Sequence, residues 1–278
     1  MRACGGWWAW PAWVPCSWGD AEVAADRELS VPEPESGERL HVRIARSGLC
    51  SRRTAERLIA EGRVSVNDSP ITEQGFKVDE SDEVRVDGNL IRVPSRHYTV
   101  ALNKPKGILT TLSDPQNRPT IVPLLPDYGV PLKPVGRLDR DTEGLLLCTS
   151  DGEFANRLAH PRYEIDKEYH AIVEGVPDVR ALERLRKGVY IEGGKTHPAQ
   201  VSVIHADAKS QSTSLKIVIH EGRKRQIRLM LEAVGHPVRE LRRVRIGPLS
   251  VKGMRPGECR LVGESELALL RKAVGLDR

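Results

Sequence analysis

Aromatic residues are scarce in this 278-residue chain: two phenylalanines, five tyrosines, and five tryptophans that all precede Gly19. The five cysteines (Cys4, Cys16, Cys50, Cys148, Cys259) are scattered and include no CxxC pair. That spacing excludes an even disulfide framework, argues against a thiolate zinc site and fits free thiols in a reducing compartment. His160, His170, His197, His205, His220 and His236 lack metal-ligand spacing, so no metal is expected. No apolar run reaches transmembrane length, so a cytoplasmic protein without a membrane partner is expected. Internal repeats are absent as well.

What the chain has is positive charge. Its formal net charge is +5, supplied mostly by arginine, whose planar fork donates bidentately to phosphate. Residues 1–37 differ from everything after them: Trp7, Trp8, Trp10, Trp13 and Trp18 are interrupted by Pro11 and Pro15, and a Pro-Glu-rich stretch ends at Gly37. Tryptophan, proline and glycine make a poor signal-peptide core. A disordered tail, or residues upstream of the true start codon, is the preferred reading of 1–37.

Residues 38–94 read as one compact unit. Leu40, Ile44 and Ala45 share a face of a short helix that stops at Ser47-Gly48. Ser51 can cap a second helix with Ala55, Leu58 and Ile59 on its apolar face, ending at Gly62. The period then becomes alternating: Val64 and Val66 precede an Asn67-Asp68 turn, and Val84 to Leu90 reads as a hairpin. Around the helices lie Arg39, Arg43, Arg46, Arg52, Arg53, Arg57 and Arg63 against only Glu56 and Glu61. A solvated face usually mixes both signs, so this surface is closer to a phosphate footprint.

Residues 95–278 alternate short strands and helices. Strands are expected at Tyr98–Leu102, Leu145–Thr149, Glu168–Val173, Gln200–Ile204 and Ser214–His220, and helices at Glu153–Ala159, Val179–Arg186 and Gln226–Val234. Strands outnumber helices without a strict βαβ rhythm, which predicts α+β with a largely antiparallel sheet over a doubly wound fold.

The stretch Gly136–Gly152, GRLDRDTEGLLLCTSDG, sets Asp139 and Asp141 between a Gly-Arg turn and three leucines. Three readings are open. Asp139, Asp141 and Glu143 would share a face of an extended segment and offer oxygens to magnesium, although Arg137 and Arg140 would repel the ion. Alternatively one carboxylate is a nucleophile or base. The third reading is a salt-bridged turn. Cys148 belongs to the apolar strand and is read as core.

Two resemblances sharpen this. RLHVRIARSGLCSRRTAERLIAEGRVSVND resembles the S4-like RNA-binding domain, which implies RNA contact through Arg52, Arg53 and Arg57. GRLDRDTEGLLLCTSDG resembles the signature of the pseudouridine synthases of the RsuA/RluB type. So do Asn103-Lys-Pro-Lys-Gly107, Thr110 to Pro119, Ala159 to Tyr163, Lys167-Glu-Tyr169, Glu221 to Arg228 and Gly235-His-Pro237, in order. Within that family the similarity points to the large-subunit synthase B group.

The resemblance implies an enzyme that isomerises a uridine of ribosomal RNA, most naturally 23S rRNA, without a cofactor and as a monomer. It implies Asp139 as nucleophile or base, Tyr169 packing on the uracil, and Arg228 paired with Asp139. Arg137 is expected near the nucleotide backbone, Lys104 and Arg225 on RNA, and Arg243 in a second basic cluster with Arg239, Arg242 and Arg245. Leu229 stands where the family pattern carries arginine, so an RNA contact there is expected to be weaker. The competing classes are a non-catalytic S4-type RNA-binding or ribosome-assembly factor and a magnesium-dependent nuclease.

Overall fold

A computed structural model describes residues 37–207 and 209–276. The expected tail therefore lies, up to Gly37, outside the described residues.

Helix α1 (Leu40–Arg46) and helix α2 (Arg52–Ala60) pack through the expected apolar faces, and Leu40, Ile44, Ala55 and Ile59 are buried together. Ser51 caps α2 as its spacing predicts: its hydroxyl accepts from Thr54 N–H at 3.1 Å. The helices cover a four-stranded antiparallel sheet of β1 (Val64–Val66), β2 (Ser69–Pro70), β3 (Val84–Val86) and β4 (Asn89–Leu90), in the order β2-β1-β3-β4. Asn67 and Asp68 both take positive φ, as a tight two-residue hairpin turn requires. Val64, Val66, Val84 and Val86 all point into the module's core.

The larger part is built on one nine-stranded sheet. Its members include β5 (Thr99–Lys104), β6 (Glu143–Thr149), β7 (Lys167–Glu174), β8 (Gln200–Asp207), β9 (Ser212–Ile219), β10 (Val238–Ile246) and β11 (Cys259–Leu261). Their order is β8-β9-β7-β10-β6-β5-β11, and two short strands pair onto β10 and β6. Every pairing is antiparallel except β10 with β6. The fold is α+β.

The apolar run of β6 is explained by burial on both faces. Leu146 and Cys148 join the core under α4 (Val179–Lys187) and α5 (Gln226–Glu232). Leu145 and Leu147 join the core under α3 (Gly152–Ala159) and α6 (Glu264–Ala273). By contrast β7 alternates: Tyr169, Ala171 and Val173 are buried while His170, Ile172 and Glu174 are exposed. An alternating strand is covered on one side and a continuous apolar strand on both.

One glycine fixes the central pairing. Gly144 (φ +107°) stands opposite Arg243 across the parallel β6–β10 register, and a Cβ there would run into the Arg243 backbone. Neither the conformation nor the space suits an L side chain. Gly144→Ala is expected to cost ~3 kcal/mol or more, read as a fall in the chemical-denaturation midpoint. A variant as stable as the wild type would contradict this packing.

Candidate active site

The Asp139 loop ends in a turn immediately before β6, and its backbone is tied from outside. Thr110 Oγ1 donates to Leu138 O at 2.8 Å, and Leu138 N–H donates back to the same hydroxyl at 3.3 Å. Thr142 N–H closes the turn on Asp139 O at 3.1 Å, and Gly107 N–H reaches Arg140 O at 2.7 Å. Arg228 Nη2 donates to Asp141 O at 3.1 Å. Lys104 Nζ donates to Thr142 O at 2.8 Å and to Pro105 O at 2.9 Å. The turn breaks the extended run on which the magnesium reading depended. Asp141 pairs with Arg228 and Arg225, and no group of three or more His, Cys, Asp or Glu side chains among the described residues is placed to hold a metal.

Beside this loop opens a cavity of about 250 Å³. Asp139, Thr142, Lys167, Tyr169, Ile227 and Arg243 line it, with Arg137 and Arg225 also on its wall. The Asp139 carboxylate is half-buried and makes no hydrogen bond or ion pair with the described residues. Tyr169 contributes a wall from β7 and is 8% exposed. Arg243 stands opposite it on β10, only 3% exposed, and donates from Nε to Leu145 O at 2.7 Å. Its guanidinium carbon lies 6.0 Å from the Tyr169 ring centroid, its Nη1 is 3.5 Å from the Tyr169 hydroxyl, and its Nη2 is buried without a partner. A buried donor without a partner is costly unless a ligand completes it.

The structure thus brings Asp139, Tyr169, Arg137, Arg225 and Arg243 to one cavity. Two expectations need correction. Arg228 does not pair with Asp139: its Nη2 meets Asp141 Oδ2 at 3.1 Å, because the turn faces that carboxylate towards α5. Lys104 offers no phosphate contact. Its side chain is fully buried under the loop and both of its bonds go to backbone carbonyls.

The second basic cluster is also dispersed. Strand alternation separates Arg243, on the cavity side, from Arg242, while Arg239 and Arg245 pair with Glu174 and Glu168. In the small module the one-sided surface is narrower than its composition implies. Arg43 and Arg46 pair with Glu38, Arg57 with Glu61, and Arg63 with Asp87. Arg52 and Arg53 remain exposed with no ion pair to the described residues. The resemblance brought Lys167, Thr110 and Thr142 only as members of motifs. Lys167 was legible at two residues before Tyr169 on one strand face, whereas the roles of Thr110 and Thr142 needed the tertiary contacts.

The helix–helix–sheet module matches the family model of the S4 domain over residues 38–84. That module, joined to a mixed sheet with a carboxylate pocket, marks the class of RNA-modifying proteins built from a binding part and a reacting part. Residues 97–233 match the family model described as RNA pseudouridylate synthase. The chain is 43% identical over 234 residues to ribosomal large subunit pseudouridine synthase B of Bacillus subtilis, covering 84% of this chain and 96% of that protein. It is 44% identical over 240 residues to an uncharacterized RNA pseudouridine synthase of Aquifex aeolicus, covering 86% and 95%. A crystal structure of a pseudouridylate synthase superposes with a TM-score of 0.61 at 27% identity, covering 84% of this chain and 99% of that one. The chain belongs to the RNA pseudouridine synthase family and is an enzyme of that kind.

Burial holds the Lys104 ammonium well below the usual lysine range, at about 8, although Asp141 and Asp139 oppose the shift. A lysine whose folded pKa is lowered takes up protons more readily when unfolded. Its charge therefore costs stability in full below pH 8, and the cost fades as pH rises towards the unfolded value of 10.5. Wild type is expected to gain stability relative to Lys104→Met between those two values, measured by urea unfolding at stepped pH. A difference that stays flat or shrinks over that window would contradict the buried-lysine assignment.

Proposed function

We propose that this protein converts a uridine of ribosomal RNA, in the large-subunit 23S rRNA, to pseudouridine, with Asp139 as the reacting carboxylate. The observation that carries the reading is the unpaired Asp139 carboxylate in a cavity walled by Tyr169 and Arg243. In the reaction the N1–C1′ bond breaks and a C5–C1′ bond forms. The proton released from C5 is balanced by one taken up at N1, so the product is an isomer. No electron acceptor and no transferred group are required.

Asp139 acts as nucleophile or base on the nucleotide after it leaves the stack. Tyr169 supplies a flat apolar face for the extruded base. Arg243 lines the same cavity as Asp139, with its Nη2 enclosed and without a partner among the described residues. Arg228 instead holds the turn through Asp141. Residues 38–94 form the RNA-binding part, and Arg52 and Arg53 are exposed cations of it with no ion pair to the described residues. Residues 95–278 form the reacting part.

The test is carbodiimide mapping of rRNA in a deletion strain complemented with wild type or Asp139→Asn. A primer-extension stop should return with wild type only and would name the uridine. In vitro the Asn variant should lose ~10⁴-fold or more in rate, the scale for a lost nucleophile, and wild type should keep full activity in EDTA. Restoration by the Asn variant would remove Asp139 from its role. If wild type restores no stop, a non-catalytic binding factor becomes the better account.

Arg52→Ala with Arg53→Ala should weaken RNA binding and flatten its salt dependence by roughly 0.7–0.9 in log–log slope per lost phosphate contact. Filter binding across a salt series reads this directly. An unchanged slope would take the small module off the RNA.

A further inference from the structure

Apart from the Asp139 carboxylate and the solvent-facing Arg137 and Lys224, three residues of the cavity wall carry polar atoms with hydrogen-bonding capacity left over. Arg243 Nη2 and Thr142 Oγ1 are buried and meet no partner among the described residues. Lys167 Nζ donates to His220 O at 3.2 Å and Ile165 O at 3.3 Å, which engages two of the three protons of an ammonium. The remaining buried amide in the wall is already engaged. Gln226 Nε2 donates to Glu221, and its Oε1 accepts from Arg223 N–H. Away from Asp139 and the exposed rim, the free groups are therefore one hydroxyl, which donates or accepts, and two cations, which only donate.

Their positions along the cavity differ. Thr142 belongs to the same closed turn as Asp139, at the end where the glycosidic bond must sit for Asp139 to act. Lys167 comes from the start of β7, anchored by the end of β9 at His220. Its charged neighbours are Arg243 and Asp166, not Asp139. A base held by its ribose end at Asp139 and stacked on Tyr169 extends its far edge, position 4 of the pyrimidine, towards the lysine. There uracil presents a carbonyl acceptor and cytosine an amine donor.

We propose that Lys167, with Arg243 beside it, donates to O4 of the bound uracil and thereby selects uridine over cytidine. The assignment rests on the synthase reading above. A donor-only wall facing an amine leaves both sides unsatisfied in a buried site, whereas facing a carbonyl it completes them. Lys167 suits this task because burial and the neighbouring Arg243 already hold its pKa down at about 8, so a single further acceptor restores what the ammonium lacks.

The test uses RNA hairpins around the mapped target, made with uridine, 4-thiouridine or cytidine at that position. Sulfur is the poorer acceptor, so wild type should turn over the 4-thiouridine hairpin on the order of 10-fold less efficiently in kcat/KM. In Lys167→Met that penalty should vanish, and the preference for binding uridine over cytidine RNA should shrink by about 10-fold or more. Lys167→Arg, which keeps the donor, should retain most of the preference. A thermal melt of each variant separates lost selectivity from lost folding, and the wild-type comparison stands even if Lys167→Met does not fold. No thio penalty in wild type, or an intact uridine preference in a folded Lys167→Met, would overturn the assignment of Lys167 and leave the synthase reading in place. Failure of wild type to convert the uridine hairpin would overturn both.

Discussion

The bond from Lys104 to the Thr142 carbonyl is the constraint on which the site depends. It ends a series in which the carbonyls of Leu138, Asp139, Arg140, Asp141 and Thr142 are each met, by Thr110, the Thr142 amide, the Gly107 amide, Arg228 and Lys104 in turn. A loop between strands ordinarily leaves such groups to water and moves accordingly. Here those five carbonyls are already taken and leave the turn nothing to gain by moving. The backbone under Asp139 is held as firmly as a strand, while no described residue holds the Asp139 side chain. Preorganisation of this kind lets a carboxylate react without first rearranging.

The same arrangement divides the cations by task. Arg228 and Arg225 lie on Asp141, so the loop's second acid neutralises them and Asp139 is not drawn into a salt bridge. Arg243 is buried across from Tyr169 with its side chain directed by Leu145 O. Lys104, also buried, supports backbone alone. Of the cations around the two aspartates, Arg243 and Lys167 combine a place in the cavity wall with burial and unmet donors. A buried charge without full satisfaction is expensive for stability, and such cost concentrates where chemistry is done.

The elements with a clean period were legible in the chain. Both helices of the small module and the valine strands beneath them follow directly from apolar spacing and turn residues. The β6 run could be placed in a core, though not between two cores. What the chain concealed was β10. Its sequence, VRELRRVRI, reads as a basic cluster because register shifts at the Glu168/Tyr169 and Ile172/Val173 steps of the neighbouring strand interrupt strict alternation. Only pairing with β7 and β6 puts Arg243 inside and Arg242 on the opposite face. The likeness to a known family pointed to Asp139 and Tyr169, but it set Arg228 on Asp139, where the structure sets it on Asp141. That choice is made by a four-residue turn, whose geometry no spacing rule encodes.

The parallel pairing of β6 with β10 joins segments 98 residues apart at the Arg243–Leu145 bond. During synthesis the Asp139 loop emerges at mid-chain, yet its α5 clamp and the buried arginine opposite Tyr169 arrive only with the last third of the chain. The small module is closed by local contacts and has all its strands before β5 begins. A growing chain can thus hold RNA through its first part well before it has an assembled pocket, and reactivity is deferred until translation is nearly finished.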